Sequence, residues 1–231
     1  MPTAVVTGAA SGIGHAFARI LVNEGYEVYA CDRDSNEKLQ SLSPAHIHAL
    51  DVTSPEAISA FARQLNGKPV DVLLNVAGVM APPEHDSLDA TSKSVLAATF
   101  EVNTFGPLLL TQALLPNLQA SHSQPPRVGI VSSRVGSIAD NGTSGSYAYR
   151  ASKAAVNSIG KSLSIDLKPH GIVVSLLHPG FTKTNITPAA SAHPESVEPD
   201  EAGSKLWKVM QSKGMEETGK FWHREGYELP W

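Results

Sequence analysis

The sequence predicts one α/β domain spanning residues 1–231, built on a doubly wound parallel sheet of about seven strands with helices on both faces. Strand-like and helix-like stretches alternate from one end of the chain to the other. The strand-like stretches are apolar without strict alternation, which is typical of strands covered on both faces. No internal repeat and no low-complexity linker divides the chain, so a single domain is expected.

Seven short stretches carry the strand pattern, each rich in apolar residues and most of them bounded by glycine or polar residues. They are Thr3–Thr7, Glu27–Cys31, His46–Leu50, Val70–Asn75, Val128–Ser132, Ile172–Leu177 and Gly219–His223.

Longer stretches between the strands have helical periodicity. In the first, Ile13, Phe17 and Leu21 fall on one face. The third is long and is expected to bend near Gly106 and Pro107. The segment between the second and third strands is short, so its helix is expected to shrink to a turn. The predicted helices are Ile13–Asn23, Pro55–Asn66, Ser92–Leu118, Ala148–Leu167 and Pro199–Ser212.

The composition narrows the class of protein. Hydrophobic residues make up 42% and charged residues 17%, as in folded globular domains. The net charge of −4 and the lack of a basic stripe argue against nucleic-acid and anionic-membrane partners. No apolar run is long enough to cross a bilayer. Cys31 is the single cysteine, and the N-terminus has no secretory-signal pattern, so a cytoplasmic location is expected.

A glycine-rich turn, Thr7-Gly-Ala-Ala-Ser-Gly-Ile-Gly14, lies between the first strand and the first helix. Glycines permit a tight turn and close approach to a pyrophosphate, which the helix N-terminus attracts. Alone, the motif also fits an ordinary tight turn. Asp32 ends the second strand eighteen positions after Gly14, near the ~20 residues typical of a ribose-binding carboxylate. A solvated strand-end aspartate is the alternative. Together the two features favour a Rossmann-type dinucleotide site.

Two further patterns carry chemistry. Tyr149 and Lys153 are four residues apart on a predicted helix and therefore share a face. A nearby ammonium lowers a phenol's pKa from ~10, which would let tyrosine exchange a proton with a substrate oxygen. Ser132 and Ser133 follow the fifth strand, where a hydroxyl could bind a reacting carbonyl or alcohol. The alternatives are an exposed helix face and a serine turn.

Taken together and in this order, these motifs resemble the short-chain dehydrogenase/reductase superfamily over essentially the whole chain. N-V-A-G at Asn75–Gly78, Asn103, and P-G-F-T-K-T at Pro179–Thr184 extend the resemblance. Four runs resemble the carbonyl-reductase subgroup that includes sniffer and the bacterial C-factor proteins. They are S-S-R-V-G-S-I, Y-A-Y-R-A-S-K-A-A, L-L-H-P-G and the terminal G-K-F-W-H-R-E-G-Y-E-L-P-W.

The resemblance implies the catalytic roles. Tyr149 is expected to be the general acid/base, and Lys153 to hold the nicotinamide ribose and depress the tyrosine pKa. Ser133 is expected to orient the substrate oxygen, and Asn103 to support a proton-relay water near Lys153. The loop Asp140–Ser146 lengthens the usual spacing between the serine and the tyrosine.

Ser132 and Ser137 therefore remain alternatives to Ser133 as the catalytic serine.

The resemblance also implies the cofactor-binding residues. Asp51 with Val52 matches the adenine-contacting position, and Thr184 is expected near the carboxamide and diphosphate. The full set is Gly8, Ser11, Gly12, Ile13, Gly14, Asp32, Arg33, Asp51, Val52, Asn75, Ala77, Gly78, Tyr149, Lys153, Pro179, Thr182 and Thr184.

At the adenosine ribose, the sequence favours NAD(H), with NADP(H) as the alternative. The Asp32 carboxylate can accept both ribose hydroxyls and repels a 2′-phosphate. The neighbouring Arg33 is a residue type that accommodates this phosphate in relatives. The glycine-rich turn supplies Ser11 and no second basic residue before Gly12.

We therefore predict an oxidoreductase that interconverts a small-molecule carbonyl and alcohol by hydride transfer. The rival hypothesis is a nucleotide-sensing or scaffold protein that keeps the fold without turnover. No metal is expected, because none of the nine histidines belongs to a recognisable ligand motif. The oligomeric state is left open, with a homodimer or a homotetramer considered. The stretch Thr187–Pro199 is expected to form a mobile substrate lid within about residues 184–205.

Overall fold

A fully parallel seven-stranded sheet forms the centre of the computed structural model, which describes residues 1–121, 125–186 and 191–231. Each predicted strand is present, with its ends shifted by no more than two residues. The strands are β1 (Thr3–Thr7), β2 (Glu27–Asp32), β3 (His46–Ala49), β4 (Val72–Asn75), β5 (Arg127–Val131), β6 (Val173–His178) and β7 (Lys220–His223).

The strand order is β3-β2-β1-β4-β5-β6-β7. The chain therefore winds outward in one direction from β1 and in the other direction from β4. This confirms the predicted doubly wound, Rossmann-type arrangement. In such sheets the connections leaving β1 and β4 diverge to opposite faces and open a crevice at the carboxyl ends of the strands.

Eight α-helices are found within the described residues. They are α1 (Gly12–Asn23), α2 (Glu37–Gln40), α3 (Pro55–Leu65), α4 (Lys93–Phe100), α5 (Gly106–Ala113), α6 (Leu115–Gln119), α7 (Tyr147–Leu167) and α8 (Pro199–Ser212). The helix between β2 and β3 is a single turn, as predicted.

The long helix predicted over residues 92–118 is wrong as one element. A π-helical turn, Glu101–Phe105, separates α4 from α5, and a second break separates α5 from α6. Pro107 and Pro116 stand at the second residue of α5 and of α6. Neither proline can donate a backbone hydrogen bond to the preceding turn, so the helix is interrupted at both places.

The sheet is covered by helices on both faces, as predicted. Val6 packs in a buried cluster with Phe17 of α1 and with residues of α8. The preceding residue of β1, Val5, points to the opposite face and belongs to a second buried cluster with Leu110 of α5 and Val156 of α7. Successive side chains of a strand point to opposite faces, and both faces are covered here, so successive residues must be apolar.

Two kinds of feature are absent from the described parts of the chain. No helix there is long and apolar enough to span a membrane. No group of three His, Cys, Asp or Glu side chains there is arranged to hold a metal ion.

Candidate active site

A cleft of about 580 Å³ opens at the carboxyl ends of the strands, around the point where the strand order reverses. This volume falls within the ~300–1,000 Å³ typical of small-molecule sites. Every predicted site residue lines the cleft except Asn75 and Asn103. The lining members are Gly8, Ser11, Gly12, Ile13, Gly14, Asp32, Arg33, Asp51, Val52, Ala77, Gly78, Ser133, Tyr149, Lys153, Pro179, Thr182 and Thr184.

The glycine-rich turn requires its glycines. Gly8 and Gly12 have φ values of +70° and +53°, in the left-handed region that favours glycine. A Cβ atom at Gly14 would lie 2.1 Å from the carbonyl oxygen of Gly8, so no side chain fits there. Ser11 precedes α1 without a side-chain capping hydrogen bond to the helix. The N-terminus of α1 thus faces the cleft as an anion-binding end, which fits a pyrophosphate.

The carboxylate of Asp32 is held in place at the end of β2. Its Oδ2 accepts a hydrogen bond from the backbone N–H of Ala10 at 2.9 Å, and its Oδ1 accepts one from that of Asp34 at 3.4 Å. The side chain of Arg33 is exposed and pairs with Asp34 at 3.1 Å. The predicted ribose carboxylate is therefore fixed to the glycine-rich turn, with an exposed arginine beside it.

The residues after β3 form the neighbouring wall. The carboxylate of Asp51 accepts hydrogen bonds from the backbone N–H and hydroxyl of Thr53, at 2.9 and 2.8 Å. These hydrogen bonds lower the pKa of Asp51, so it is charged at neutral pH. Val52 is buried against Gly106, where an added Cβ would lie 3.0 Å from the valine methyl.

Ser133, Tyr149 and Lys153 meet at one point of the cleft. The Ser133 hydroxyl is close enough to the Tyr149 phenol to lower its pKa. Lys153 lies one turn along α7, with its Nζ 5.7 Å from the centroid of the tyrosine ring. This Nζ donates to the carbonyl oxygen of Val131, at the end of β5, at 2.9 Å. A hydroxyl, a phenol and an ammonium are thus brought together as the sequence pattern predicted.

Burial dominates the electrostatics of this group. It raises the pKa of Tyr149 to about 12, and the neighbouring Ser133 hydroxyl opposes this rise. It also lowers the pKa of Lys153 to about 8. The lowering of the tyrosine pKa that we expected from Lys153 is therefore not found, and the tyrosine pKa is raised instead. Tyr149 is a protonated donor at neutral pH, and Lys153 loses its charge at mildly alkaline pH.

The two alternative serines are occupied elsewhere. Ser132 is buried and donates to Oδ1 of Asn157 at 2.6 Å. The Ser137 hydroxyl, also buried, accepts from the backbone N–H of Asp140 at 3.1 Å. Of the three serines, Ser133 is the one whose hydroxyl acts on the pKa of Tyr149.

Asn103 lies behind the cleft wall, in the π-helical turn. Its side chain exchanges two hydrogen bonds of 2.8 Å with the backbone of Val79 and donates to Ser152 at 3.1 Å. A Cβ at Gly78 would lie 3.3 Å from Asn103 Oδ1 and 3.7 Å from Lys153 Nζ. Asn103 therefore joins the loop after β4 to α7. π-Helical turns of this kind occur frequently at functional sites.

Asn75, at the end of β4, is buried and donates to the hydroxyl of Thr111 at 3.3 Å. This contact places its side chain within the packing between the sheet and α5.

The loop after β6 covers the glycine-rich turn. A Cβ at Gly12 would lie 3.2 Å from the Thr184 methyl carbon, so the two segments are in contact. The Thr182 hydroxyl is within hydrogen-bond distance, 3.3 Å, of the carbonyl oxygens of Pro179 and Gly180. The predicted nicotinamide-side residues thus form one folded loop at the mouth of the cleft.

The predicted lid is described in part, because residues 187–190 lie outside the described residues. Its returning part runs beside the loop after β6. The backbone N–H of Lys183 donates to Val197 at 3.0 Å, and that of Val197 donates to Phe181 at 3.1 Å. The rings of Phe181 and His193 stack with centroids 3.7 Å apart. This part of the lid is therefore bound to the loop after β6.

Sequence reasoning missed Asp86, a buried carboxylate from the loop between β4 and α4. Its Oδ1 and Oδ2 accept hydrogen bonds from the backbone N–H groups of Ala148 and Tyr149, at 2.9 and 3.2 Å. Asp86 therefore caps α7, whose own preceding residue, Ser146, makes no side-chain cap. No local pattern identifies a cap contributed from so far along the chain.

His178, at the end of β6, also lines the cleft. Its Nδ1 accepts a hydrogen bond from the backbone N–H of Arg134 at 3.1 Å. Burial, followed by the neighbouring His223 and the nearby arginines, lowers its pKa to about 3. The imidazole is therefore neutral at physiological pH.

Comparison with known proteins agrees with this geometry. The sequence profile of the short chain dehydrogenase family matches residues 2–195. The chain is 37% identical, over the full length of both proteins, to the 1-hydroxy-2-glutathionyl-2-methyl-3-butene dehydrogenase of Rhodococcus sp. (strain AD45). It is 40% identical over 172 residues to the C-signal protein of Myxococcus xanthus, covering 74% of this chain and 99% of that protein.

Among solved structures, the chain resembles the NADPH-bound carbonyl reductase from chicken fatty liver. The TM-score is 0.90 at 29% identity, and the match covers 100% of this chain and 99% of that one. These matches confirm the predicted superfamily and the predicted carbonyl-reductase subgroup.

Proposed function

The chain belongs to the short-chain dehydrogenase family and is an NAD(P)-dependent oxidoreductase, and on this premise we propose that Tyr149 is the general acid/base of a reversible carbonyl–alcohol conversion. The observation that carries the proposal is that Ser133, Tyr149 and Lys153 line the same cleft, with the Lys153 Nζ 5.7 Å from the centroid of the tyrosine ring. A substrate oxygen placed between the two hydroxyls would be polarised and protonated at once.

The residues of the cleft fit a dinucleotide. The glycine-rich turn and the N-terminus of α1 would hold the pyrophosphate, Asp32 the adenosine ribose, and Lys153 the nicotinamide ribose. When bound, the nicotinamide supplies the hydride. The glycines at 8, 12 and 14 support this reading, since their conformations and contacts exclude side chains from the cradle.

The proton chemistry belongs to the chain's own residues. In the reducing direction, Tyr149 holds its proton at neutral pH and donates it to the oxygen that gains charge. Ser133 keeps that oxygen in place through its hydroxyl. The charge of Lys153 stabilises the resulting phenolate, and this matters because burial opposes phenolate formation. In the oxidising direction, the same phenolate takes the alcohol proton.

We favour NAD(H) over NADP(H) as the cofactor. A structural neighbour, the chicken carbonyl reductase, binds NADPH, so the preference has to come from this chain's own residues. The Asp32 carboxylate is fixed by the N–H of Ala10, and its charge would repel a 2′-phosphate. Arg33 could meet that phosphate only by leaving Asp34, its present partner. Comparing kcat/KM with the two cofactors tests the preference.

On the substrate side, we propose that the loop after β6 and the returning part of the predicted lid enclose a small-molecule carbonyl or alcohol. Phe181, His223 and Tyr227 line this end of the cleft. The rings of His223 and Tyr227 stack 4.5 Å apart. Such a wall favours an apolar or aromatic group next to the reacting carbon.

The test is a broad panel of aldehydes, ketones and alcohols, each assayed with both cofactors by nicotinamide absorbance. Turnover that disappears in Tyr149→Phe supports the proposal. Tight cofactor binding with no turnover of any panel member is the result expected of the rival, a nucleotide-sensing or scaffold protein.

A further inference from the structure

Arg224, the residue after β7, lies beneath the loop that follows β6. Its side chain is only 8% exposed. Its backbone N–H donates to the carbonyl oxygen of His178 at 3.0 Å. Its Nη1 donates to the carbonyl oxygens of Pro179 and Phe181 at 2.6 and 2.9 Å. One arginine thus binds the last residue of β6 and two of the first three residues of the loop.

The same guanidinium reaches the returning part of the loop. Its Nη2 donates to the carbonyl oxygen of Glu195 at 3.3 Å, while Nε pairs with Glu225 at 3.2 Å. Arg224 therefore stands at the base of the whole excursion from β6 to α8, where the outgoing and returning segments come together.

The backbone is shaped around this contact. Gly180 has a φ of +68°, and a Cβ at that position would lie 2.5 Å from Nη1 of Arg224. The guanidinium occupies the space that a side chain at 180 would fill. A lysine at 224 would keep the charge but not the planar, forked set of donors, so it could not satisfy the same carbonyls together.

The far end of the loop lies over the proposed cofactor site, because Thr184 contacts Gly12 of the glycine-rich turn. A loop fixed at its base by Arg224 holds Thr184 against this turn. Among the described residues of this loop, no other buried charged side chain holds it. Without the contacts to Arg224, Thr184 would therefore spend less time against Gly12.

We propose that Arg224 is a positioning residue for cofactor binding: it holds the base of the loop after β6 so that the loop closes over the dinucleotide. The inference rests on the proposed function, which places the dinucleotide in the cleft. Arg224 acts through the loop, so its loss should raise the cofactor Kd and KM much more than it lowers kcat.

The chain offers a matched control in Arg127, at the amino end of β5 and away from the cleft. Its guanidinium also donates to three backbone carbonyls, those of Met210, Gln211 and Lys213 at the end of α8. Arg224→Lys and Arg127→Lys each replace a guanidinium that binds several carbonyls by an ammonium. If the loss of a guanidinium's hydrogen bonds has a general effect on stability, both variants should show it.

The experiment measures hydrogen exchange of peptides covering residues 178–186 and 191–198 without cofactor, and then cofactor Kd, KM and kcat. In Arg224→Lys we expect faster exchange of these peptides and a cofactor Kd raised by at least about tenfold, the loss expected for a charged hydrogen-bond network. In Arg127→Lys we expect both quantities to match the wild type.

Unchanged exchange in Arg224→Lys, or faster exchange with an unchanged cofactor Kd, would overturn the inference. An equal rise in Kd in both variants would also overturn it, because the effect would then be one of general stability. Wild-type protein that binds neither NAD(H) nor NADP(H) is a separate outcome. It would contradict the proposed function and, with it, this inference.

Discussion

Asp86 accepts a hydrogen bond from the backbone N–H of Tyr149 at 3.2 Å, so a buried carboxylate from a distant loop fixes the first turn of α7. The loop that holds Asp86 follows β4 and reaches the start of α7. The position of the proposed acid/base thus depends on a residue outside its own helix.

Replacing Asp86 by asparagine should disturb both stability and catalysis. The asparagine keeps one acceptor oxygen, so one of the two N–H groups of α7 faces an amide donor. We expect a loss of about 1–3 kcal/mol in the free energy of unfolding, the cost of leaving a buried donor unpaired, measured by urea denaturation. We also expect kcat to fall while cofactor Kd stays near the wild-type value.

Asp200→Asn is the control for Asp86→Asn, since the carboxylate of Asp200 is half exposed and pairs with Arg19 on the surface. Its unfolding free energy should change by no more than about 0.5 kcal/mol. Equal stability of the two variants would show that Asp86 does not cap α7.

The charge of Lys153 should appear in the pH dependence of activity. Burial lowers its pKa to about 8, so the ammonium is present below that pH and is lost above it. Because kcat/KM reports the free enzyme, its value for carbonyl reduction should fall as pH rises through about 8. Lys153→Met should remove this step along with most of the activity. A wild-type profile that stays flat between pH 7 and 9.5 would argue against this role.

His178 should make the fold sensitive to acid. Its pKa is lowered to about 3 in the folded protein, against an ordinary value of 6.5, because of burial and the nearby His223 and arginines. Between these pH values the His178 imidazole binds a proton in the unfolded chain but not in the folded chain. The free energy of unfolding therefore falls as pH drops from 6.5 toward 3. His178→Asn should lose less stability than the wild type between pH 7 and pH 4.

Denaturant unfolding at the two pH values measures this difference, with the exposed His170→Asn as control. If His178→Asn and His170→Asn showed the wild-type acid sensitivity alike, His178 would not be its source.

Asp32 should determine the cofactor preference. Asp32→Ser removes the negative charge at the ribose end and keeps a hydroxyl in place of the carboxylate. The ratio of kcat/KM for NAD(H) to that for NADP(H) should fall by at least tenfold, and Arg33 should then favour the phosphate. A wild-type preference of tenfold or more for NADP(H) would refute the proposed role of Asp32.

Local patterns in the sequence were enough to predict the strands, the glycine-rich turn and the pairing of Tyr149 with Lys153, while the family resemblance supplied most of the other candidate residues that line the cleft. The glycines of the turn and the spacing between Tyr149 and Lys153 reflect short-range geometry, which a sequence displays directly. A bend near Gly106 and Pro107 was expected, but the π-helical turn at Glu101–Phe105 was not, because none of its five residues is a glycine or a proline. Periodicity alone gave one helix where the prolines divide it.

Interactions between distant parts of the chain could not be predicted in this way. Asp86 is 63 residues from Tyr149, and Arg224 is 45 residues from Pro179. The direction of the Tyr149 pKa shift was also missed, because it depends on how deeply the folded protein buries the phenol. Burial is a property of the packed structure, whereas the nearby lysine was visible in the sequence.

The most direct test of the account is the turnover of Tyr149→Phe, which removes the phenolic proton and keeps the ring. With a substrate found in the panel, we predict that kcat falls by at least ~10²–10⁴-fold, the range for general acid–base catalysis, while cofactor Kd stays close to the wild-type value. A Tyr149→Phe variant that turned over at the wild-type rate would contradict the assignment of Tyr149 as the acid/base.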